Sequence, residues 1–281
     1  MVTTDFSLEG VHFRREWHPP ESIGHRCLAR GLSDIAAMGG DPVAAFLSLA
    51  LPAKLPQAWV DRFFRGFLKL AREFGVTLAG GDIAQSPAGV LADIMVVGSI
   101  PKGTAVARSG AKPGDRIYVT GALGGSAATL RFLFSGRKKI ETKEFRCHFF
   151  PTPRIRVGTA LRKKKIPSAM IDISDGLSTD LGHICDRSGV GAEVWTNAIP
   201  MGKTGRPTEA VEFNFALHGG EDYELLFTAP RNRRVPHQIA GVKITCIGNI
   251  LRGRGMLLVD ESGSRSVLKP GGWEHFRQRT K

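Results

Sequence analysis

The sequence predicts a two-domain protein of mixed α/β layers, and three observations predict it. Strand-like apolar runs alternate with helical patterns along the whole chain, which favours α+β or α/β halves over an all-helical or all-strand fold. At 281 residues the chain is long enough for two domains of ordinary size. Finally, the turn Lys112-Pro113-Gly114-Asp115 opens a new strand, glycine-rich bend and helix, placing a boundary near 104–108. The expected domains are therefore 1–106 and 107–281.

The elements follow in order. "VTTDFSLEGVHF" begins as a strand, and Pro19-Pro20 lead into a helix on which Ile23, Cys27, Leu28, Leu32 and Ile35 recur at helical spacing. Gly39-Gly40 stop that helix, and "PVAAFLSLALP" is a buried strand. "PQAWVDRFFRGFLKLAREFG" is the clearest amphipathic helix, with Trp59, Phe63, Phe67, Leu70 and Phe74 as its stripe and Gly75 at its end. "VTLAGGD" and "LADIMVVGSI" complete the strands of the first half. The second half continues with a helix around 153–165, the strand "SAMIDIS", a helix from Ser178 to Ser188, and the strands "GAEVW" and "VKITCIGNI".

Composition narrows the function. No basic-then-apolar leader is visible at the start, and the longest apolar run, "VAAFLSLALPA", is too short to span a bilayer. Four cysteines without paired spacing suggest neither zinc nor a disulfide framework, so a reducing cytoplasm is expected. The net charge is +13, and residues 131–170 hold 12 Lys/Arg against 2 Asp/Glu. Their aromatics are not spaced as a base-stacking platform, so nucleic-acid binding is not expected as the primary function. Attraction of a polyphosphate substrate would use the same charge.

The chemistry concentrates at acidic strand ends. "VTTD" (Asp5), "TLAGGD" (Asp82) and "AMIDISD" (Asp172, Asp175) each run an apolar strand into an aspartate with small residues near, and Asp34 sits in the small-residue helix "LSDIAAMGG". Each alone is ordinary turn or capping chemistry. Together they suit Mg²⁺, which takes a few carboxylates and completes its shell with water and phosphate. Thr3, Thr4 and Ser174 add hydroxyls. In the same region Asp180 is expected to face solvent. "TGALGGSAATL" reads either as a phosphate-cradling strand–turn–helix or as a tight turn packing a helix onto a strand.

Taken together, "VTTDFSLEGVHF", "LSDIAAMGGDP", "LAGGD", "ARSGAKPGDRIYVTGALGGSAA", "PTPRIRVGTAL", "IDISDGLSTDL" and "GGEDYELLFT" resemble the thiamine-monophosphate kinase family in order and over nearly the whole chain. The resemblance implies the two-domain architecture of aminoimidazole ribonucleotide synthetase and selenophosphate synthetase: an N-terminal mixed sheet that dimerises, then a larger α/β domain. It implies transfer of the ATP γ-phosphoryl group to thiamine monophosphate with several Mg²⁺ ions, in a cytoplasmic homodimer. Carried over by residue, Thr3, Thr4, Asp5, Asp34, Asp82, Asp172 and Asp175 would be metal ligands. Gly81, Asp82, Arg108 and Ser174 would contact ATP, with Asp82, Arg108 and Asp175 catalytic. His12, Glu221 and Trp273 would contact the thiamine phosphate.

One departure stands out. Family members carry a Gly-Asp-Asp-Ala-Ala type motif ahead of the "VTTD" strand, and no such Asp-Asp pair occurs in these residues. The expectation is a first domain truncated at its start, with an incomplete metal cluster and an edge strand left uncovered. A non-catalytic remnant that binds nucleotide or thiamine phosphate, and a related ATP-dependent synthetase, are the alternatives.

Overall fold

The computed structural model describes residues 1–136, 141–205 and 209–273, and the chain divides into two compact units. Unit 1 comprises Met1–Ala105 with Phe149–Thr159, and unit 2 comprises Val106–His148 with Ala160–Lys281.

Unit 1 is a four-stranded mixed sheet with two helices. Its elements are β1 (Val2–Leu8), α1 (Pro20–Ala37), β2 (Asp41–Pro52), α2 (Gln57–Phe74), β3 (Thr77–Ser86) and β4 (Leu91–Ser99). The strand order is β1-β4-β2-β3, with β2 and β3 parallel and the other pairs antiparallel. The stripe read from the sequence is the buried face of α2, where Phe63, Phe67 and Leu70 are enclosed. Burying each such side chain contributes roughly 1.5–3 kcal/mol. Gly75 ends α2 in the left-handed conformation, φ 67°. Where α1 and α2 meet, glycines replace side chains. A Cβ on Gly24 would lie 2.0 Å from the Phe63 carbonyl oxygen, and one on Gly66 would lie 1.9 Å from that of Glu21.

Period-two alternation gives the sheet two unlike faces. Ala92, Ile94 and Val96 of β4 are buried with Ala45, Leu47 and Leu49 of β2. On the other face Val2, Phe6, Phe46 and Met95 remain exposed. β1 and β3 form the two edges.

Unit 2 holds a larger sheet, of order β14-β13-β7-β12-β5-β10-β6 with β11 beside β12. In chain order its elements are β5 (Arg116–Thr120), α3 (Gly125–Phe134), the one-turn α4 (Arg146–Phe149), α5 (Ile155–Lys163, which begins in unit 1), β6 (Ala169–Asp172), α6 (Leu177–Ser188) and β7 (Gly191–Trp195). The ribbon β8 (Lys203–Thr204) and β9 (Glu209–Ala210) follows, then α7 (Phe213–His218), β10 (Leu225–Ala229), β11 (Gln238–Ile239), β12 (Val242–Leu251), β13 (Met256–Val259) and β14 (Arg265–Leu268). The β7–β13 pair is parallel; the other pairs are antiparallel. Ile117, Val119, Ile171, Leu177, Leu181, Val194, Leu226 and Ile247 belong to one buried core. Tyr118 and Phe227, a cross-strand pair, stack with ring centroids 5.2 Å apart. Both units thus have the expected mixed sheets with helices.

Candidate active site

In unit 1 the close approach of α1 to the sheet determines what meets. A Cβ on Gly31 would lie 2.5 Å from Val96 Cγ2, so the helix can sit this low only with glycine there. One turn further on, the Asp34 carboxylate accepts a hydrogen bond from the Thr3 hydroxyl. Thr3 and Asp5 are both half-buried and share a face of β1, whereas Thr4 points to the exposed face. The structure therefore brings Thr3 and Asp34 together, with Asp5 two residues along.

Asp82 is elsewhere. It is exposed on β3, level with Ser48 of β2 and through it with Asp93 of β4, and its Oδ1 accepts the Ile83 N–H at 2.8 Å. Because β1 and β3 are opposite edges, three strand spacings, about 14 Å, separate it from Asp5. One ion cannot be held by both residues of one chain at that separation. Gly81 beside it has φ 154°, and a Cβ there would lie 1.8 Å from the Leu47 carbonyl oxygen. His12 lies in the turn after β1, where its Nδ1 accepts the Leu8 N–H at 3.0 Å and its neighbour Phe13 is buried.

In unit 2 the residues converge at the mouth of β6. Asp172, the last strand residue, is buried beside Leu225 of β10. Beyond it the loop 173–176 is laced to the segment 221–224. The Ile173 N–H donates to the Glu224 carbonyl (2.7 Å), the Tyr223 N–H to Ile173 (2.9 Å) and the Glu221 N–H to Ser174 (2.8 Å). Glu221 and Tyr223 both have positive φ, 64° and 52°, an uncommon backbone for residues with side chains and one found at functional sites. Arg108 is exposed, one residue past Ala107, whose carbonyl accepts the Met170 N–H of β6.

The expectation that Asp180 faces solvent is wrong: the residue is 1% exposed. Its carboxylate turns back over the first turn of α6 and accepts the N–H groups of Asp175 (3.1 Å) and Gly176 (3.0 Å). Burial, then the charges of Asp172 and Asp175, push its carboxyl up to about 8. Asp175, Asp180 and His183 present donor atoms that all lie within 4.8 Å of one another. Crowded hard oxygen donors, with one carboxyl held far above its ordinary value, are a set that a divalent cation relieves, so the residues fit Mg²⁺.

The C-terminal segment is latched onto the same loop. Gly271 N–H donates to Ser178 Oγ (3.2 Å), Gly272 N–H to Thr179 Oγ1 (3.1 Å) and Trp273 N–H to the Asp175 carbonyl (3.0 Å). A Cβ on Gly272 would lie 1.9 Å from that carbonyl, which explains the glycine pair before the tryptophan. His218 Nδ1 is 2.8 Å from Ser178 Oγ, and partial burial lowers its basicity. Trp273 is anchored by its backbone and 44% exposed.

Asp222 was not singled out in the sequence. Its Oδ2 accepts the Gly124 N–H at 2.6 Å and its Oδ1 lies 3.4 Å from the Ser126 N–H, so an internal carboxylate fills the N-terminus of α3. The "TGALGGSAATL" bend is accordingly a helix packed in place by the "GGEDYEL" segment, not an open phosphate cradle. Enclosure by that turn pushes the Asp222 carboxyl up to about 7, against the pull of the two N–H donors. A carboxyl raised above its unfolded value of about 3.9 stabilises the fold fully below that value. The contribution disappears as pH rises through about 7. In urea unfolding, Asp222→Asn is expected to shrink the loss of stability between pH 5 and pH 8; an unchanged difference would remove Asp222 as its source.

Residues 1–100 match the family of AIR synthase related proteins, N-terminal domain, and residues 112–267 match the C-terminal domain of the same family. The chain is 39% identical to the thiamine-monophosphate kinase of Salmonella typhimurium strain LT2, over 98% of this chain and 86% of the relative. It is 37% identical to that of Escherichia coli strain K12, with the same coverage. A solved structure described as AaThiL complexed with AMPPCP and TMP superimposes with a TM-score of 0.86 at 33% identity, covering 98% of this chain and 86% of that one. Identity at this level across both domains, on a fold that carries the expected acidic strand ends, places the chain in the thiamine-monophosphate kinase family.

Proposed function

We propose that this protein transfers the γ-phosphoryl group of ATP to the phosphate of thiamine monophosphate, giving thiamine diphosphate, with several Mg²⁺ ions bound. The observation that carries the reading is the crowd of Asp172, Asp175 and Asp180 at the mouth of β6, with Trp273 latched to the same loop. In this reading Thr3, Thr4, Asp5, Asp34, Asp82, Asp172 and Asp175 hold the metal ions. The 14 Å between Asp5 and Asp82 calls for more than one. When bound, Mg²⁺ neutralises charge between two polyanionic substrates.

The chain's own residues do the positioning. Gly81 leaves backbone clear for a phosphate, Ser174 and Arg108 contact ATP, and Arg108 supplies fixed positive charge to the group in transfer. His12, Glu221 and Trp273 contact the thiamine phosphate, the Trp273 ring being suited to stacking on a flat heterocycle. The acceptor is a phosphate oxygen, already ionised near neutral pH, so in-line placement matters more than a strong base. A homodimer forms through the exposed face bearing Val2, Phe6, Phe46 and Met95, an apolar patch of the kind that marks an interface. Analytical ultracentrifugation tests it, and a monomer at micromolar concentration would refute it. The working compartment is the cytoplasm. Among the described residues no helix is long and apolar enough to cross a membrane.

The test is conversion of thiamine monophosphate by the purified chain with ATP and Mg²⁺, against a panel of other phosphate acceptors. Turnover selective for thiamine monophosphate is expected, falling at least about 100-fold in Asp82→Asn. Calorimetric binding without turnover would replace this reading with that of a non-catalytic binder.

A further inference from the structure

The excess positive charge of this chain has no role in a carboxylate–metal site. Part of it gathers at the opposite end of the unit 2 sheet from Asp172. There β5 begins with Arg116, which pairs with Ala229 at the end of β10 and Asn249 near the end of β12. Arg231 and Arg252 follow just beyond those two strand ends. Because the three strands are neighbours about 4.8 Å apart, the three arginines are presented side by side. With Trp195 they line a hollow of about 590 Å³.

A second hollow, of about 740 Å³, is lined by Lys164, Arg233, Arg234 and His237. The run Arg231-Asn232-Arg233-Arg234 contributes to both, so the two are successive stations of one strip. Among the described residues no carboxylate lines either hollow. Among the described residues, Lys164, Arg231, Arg233, Arg234 and Arg252 form no ion pair. The nearby acids are engaged elsewhere. Asp115 is buried and accepts from Ser168 Oγ and the Lys112 N–H, while Glu193 pairs with Arg265 and accepts from Asn249.

We infer that this strip is a second binding site, for single-stranded nucleic acid, separate from the kinase site. Five cations without an ion pair, spread over two hollows that one short run joins, match a chain of phosphates. Open hollows on an exposed turn suit an extended strand, not a small enclosed ligand. Trp195 beside three arginines supplies the flat surface on which a base stacks, the combination used for strand binding without sequence readout. A secondary association of this kind gives part of the +13 charge a second role beside substrate attraction.

The test is fluorescence anisotropy of a labelled 15-mer oligouridylate with the full chain, between 50 and 200 mM salt, with inorganic polyphosphate as competitor. Binding is expected to weaken steeply with salt. Replacing Arg231, Arg233 and Arg234 together with alanine should weaken it at least about tenfold and flatten the log–log salt slope by about 2. Trp195→Ala should weaken oligouridylate binding by about 5- to 100-fold and leave polyphosphate binding unchanged. Charge reversal at the exposed Arg234 (Arg234→Glu) gives a single-residue check that does not burden folding. Thiamine-phosphate kinase turnover should be the same in every variant, so this result stands apart from that of the kinase assay. Affinity and salt slope unmoved by the arginine substitutions would overturn the site. Equal binding of polyphosphate with no dependence on Trp195 would overturn nucleic acid as its ligand.

Discussion

Asp175→Asn is expected to lower kcat/KM for thiamine-monophosphate phosphorylation by at least about 100-fold, the scale on which a charge group at a reacting phosphoryl acts. The substitution is close to isosteric, and the loop is held by backbone bonds it does not touch. The Asp175 N–H donates to Asp180, and its carbonyl accepts from Trp273. A stability measurement separates lost chemistry from lost fold. The Asp175 charge is one of the two that push the Asp180 carboxyl up, so without divalent cation the variant should melt no lower than the wild type. Added Mg²⁺ should raise the wild-type melting temperature and raise that of Asp175→Asn by clearly less, because a cation stabilises the fold only as far as it binds. Wild-type turnover in this variant would remove Asp175 from the catalytic set, and a lower melting temperature without cation would show that its role is structural.

The parts of this site that were legible in the sequence are those built from neighbours in the chain. The buried run ending at Asp172, the Ser174–Gly176 turn and the helix after it declare themselves through apolar patterning and one glycine. Asp180 did not, because polar residues on a helix read as solvent-facing unless a partner is known. Its partners are N–H groups four and five residues back, a folding of the loop that periodicity does not encode. Asp222 was missed for a longer-range reason: the helix terminus it fills begins 98 residues earlier. A signal existed there, since α3 starts at Gly124-Gly125 with no capping side chain of its own and so needs an acceptor from elsewhere. The Gly271-Gly272 pair takes its meaning only from the Asp175 carbonyl that stands against Gly272. In unit 1 the stripe on α2 was read directly from spacing. The separation of Asp82 from Asp5 was not, because strand order within a sheet is a property of the whole domain.

The largest stability effect is expected at a residue with no chemistry. Gly66→Ala adds a single methyl group to α2, and in an exposed helix that change would stabilise, since alanine is the better helix former by about 1 kcal/mol. Here the new Cβ would stand 1.9 Å from the Glu21 carbonyl oxygen and 2.7 Å from its Cα, both backbone atoms of α1 that no rotamer change can move aside. The helices must separate, and Phe63, Phe67 and Leu70 lose contact along their buried faces. The cost should exceed the propensity gain several-fold, giving a net loss of about 3 kcal/mol and a fall of roughly 10 °C in melting temperature. Gly75→Ala is the control. It strains a left-handed residue at φ 67° with nothing within 4 Å of the new methyl, so about 1 kcal/mol is expected from backbone conformation alone. Gly24→Ala makes the reciprocal clash, 2.0 Å from the Phe63 carbonyl oxygen. Once one substitution has pushed the helices apart, the other meets less resistance, so the double variant should lose measurably less than the two single losses added together. Strict additivity would show that the two glycines do not share one crossing, and a Gly66→Ala protein as stable as the wild type would show that this crossing is not where the helices are held.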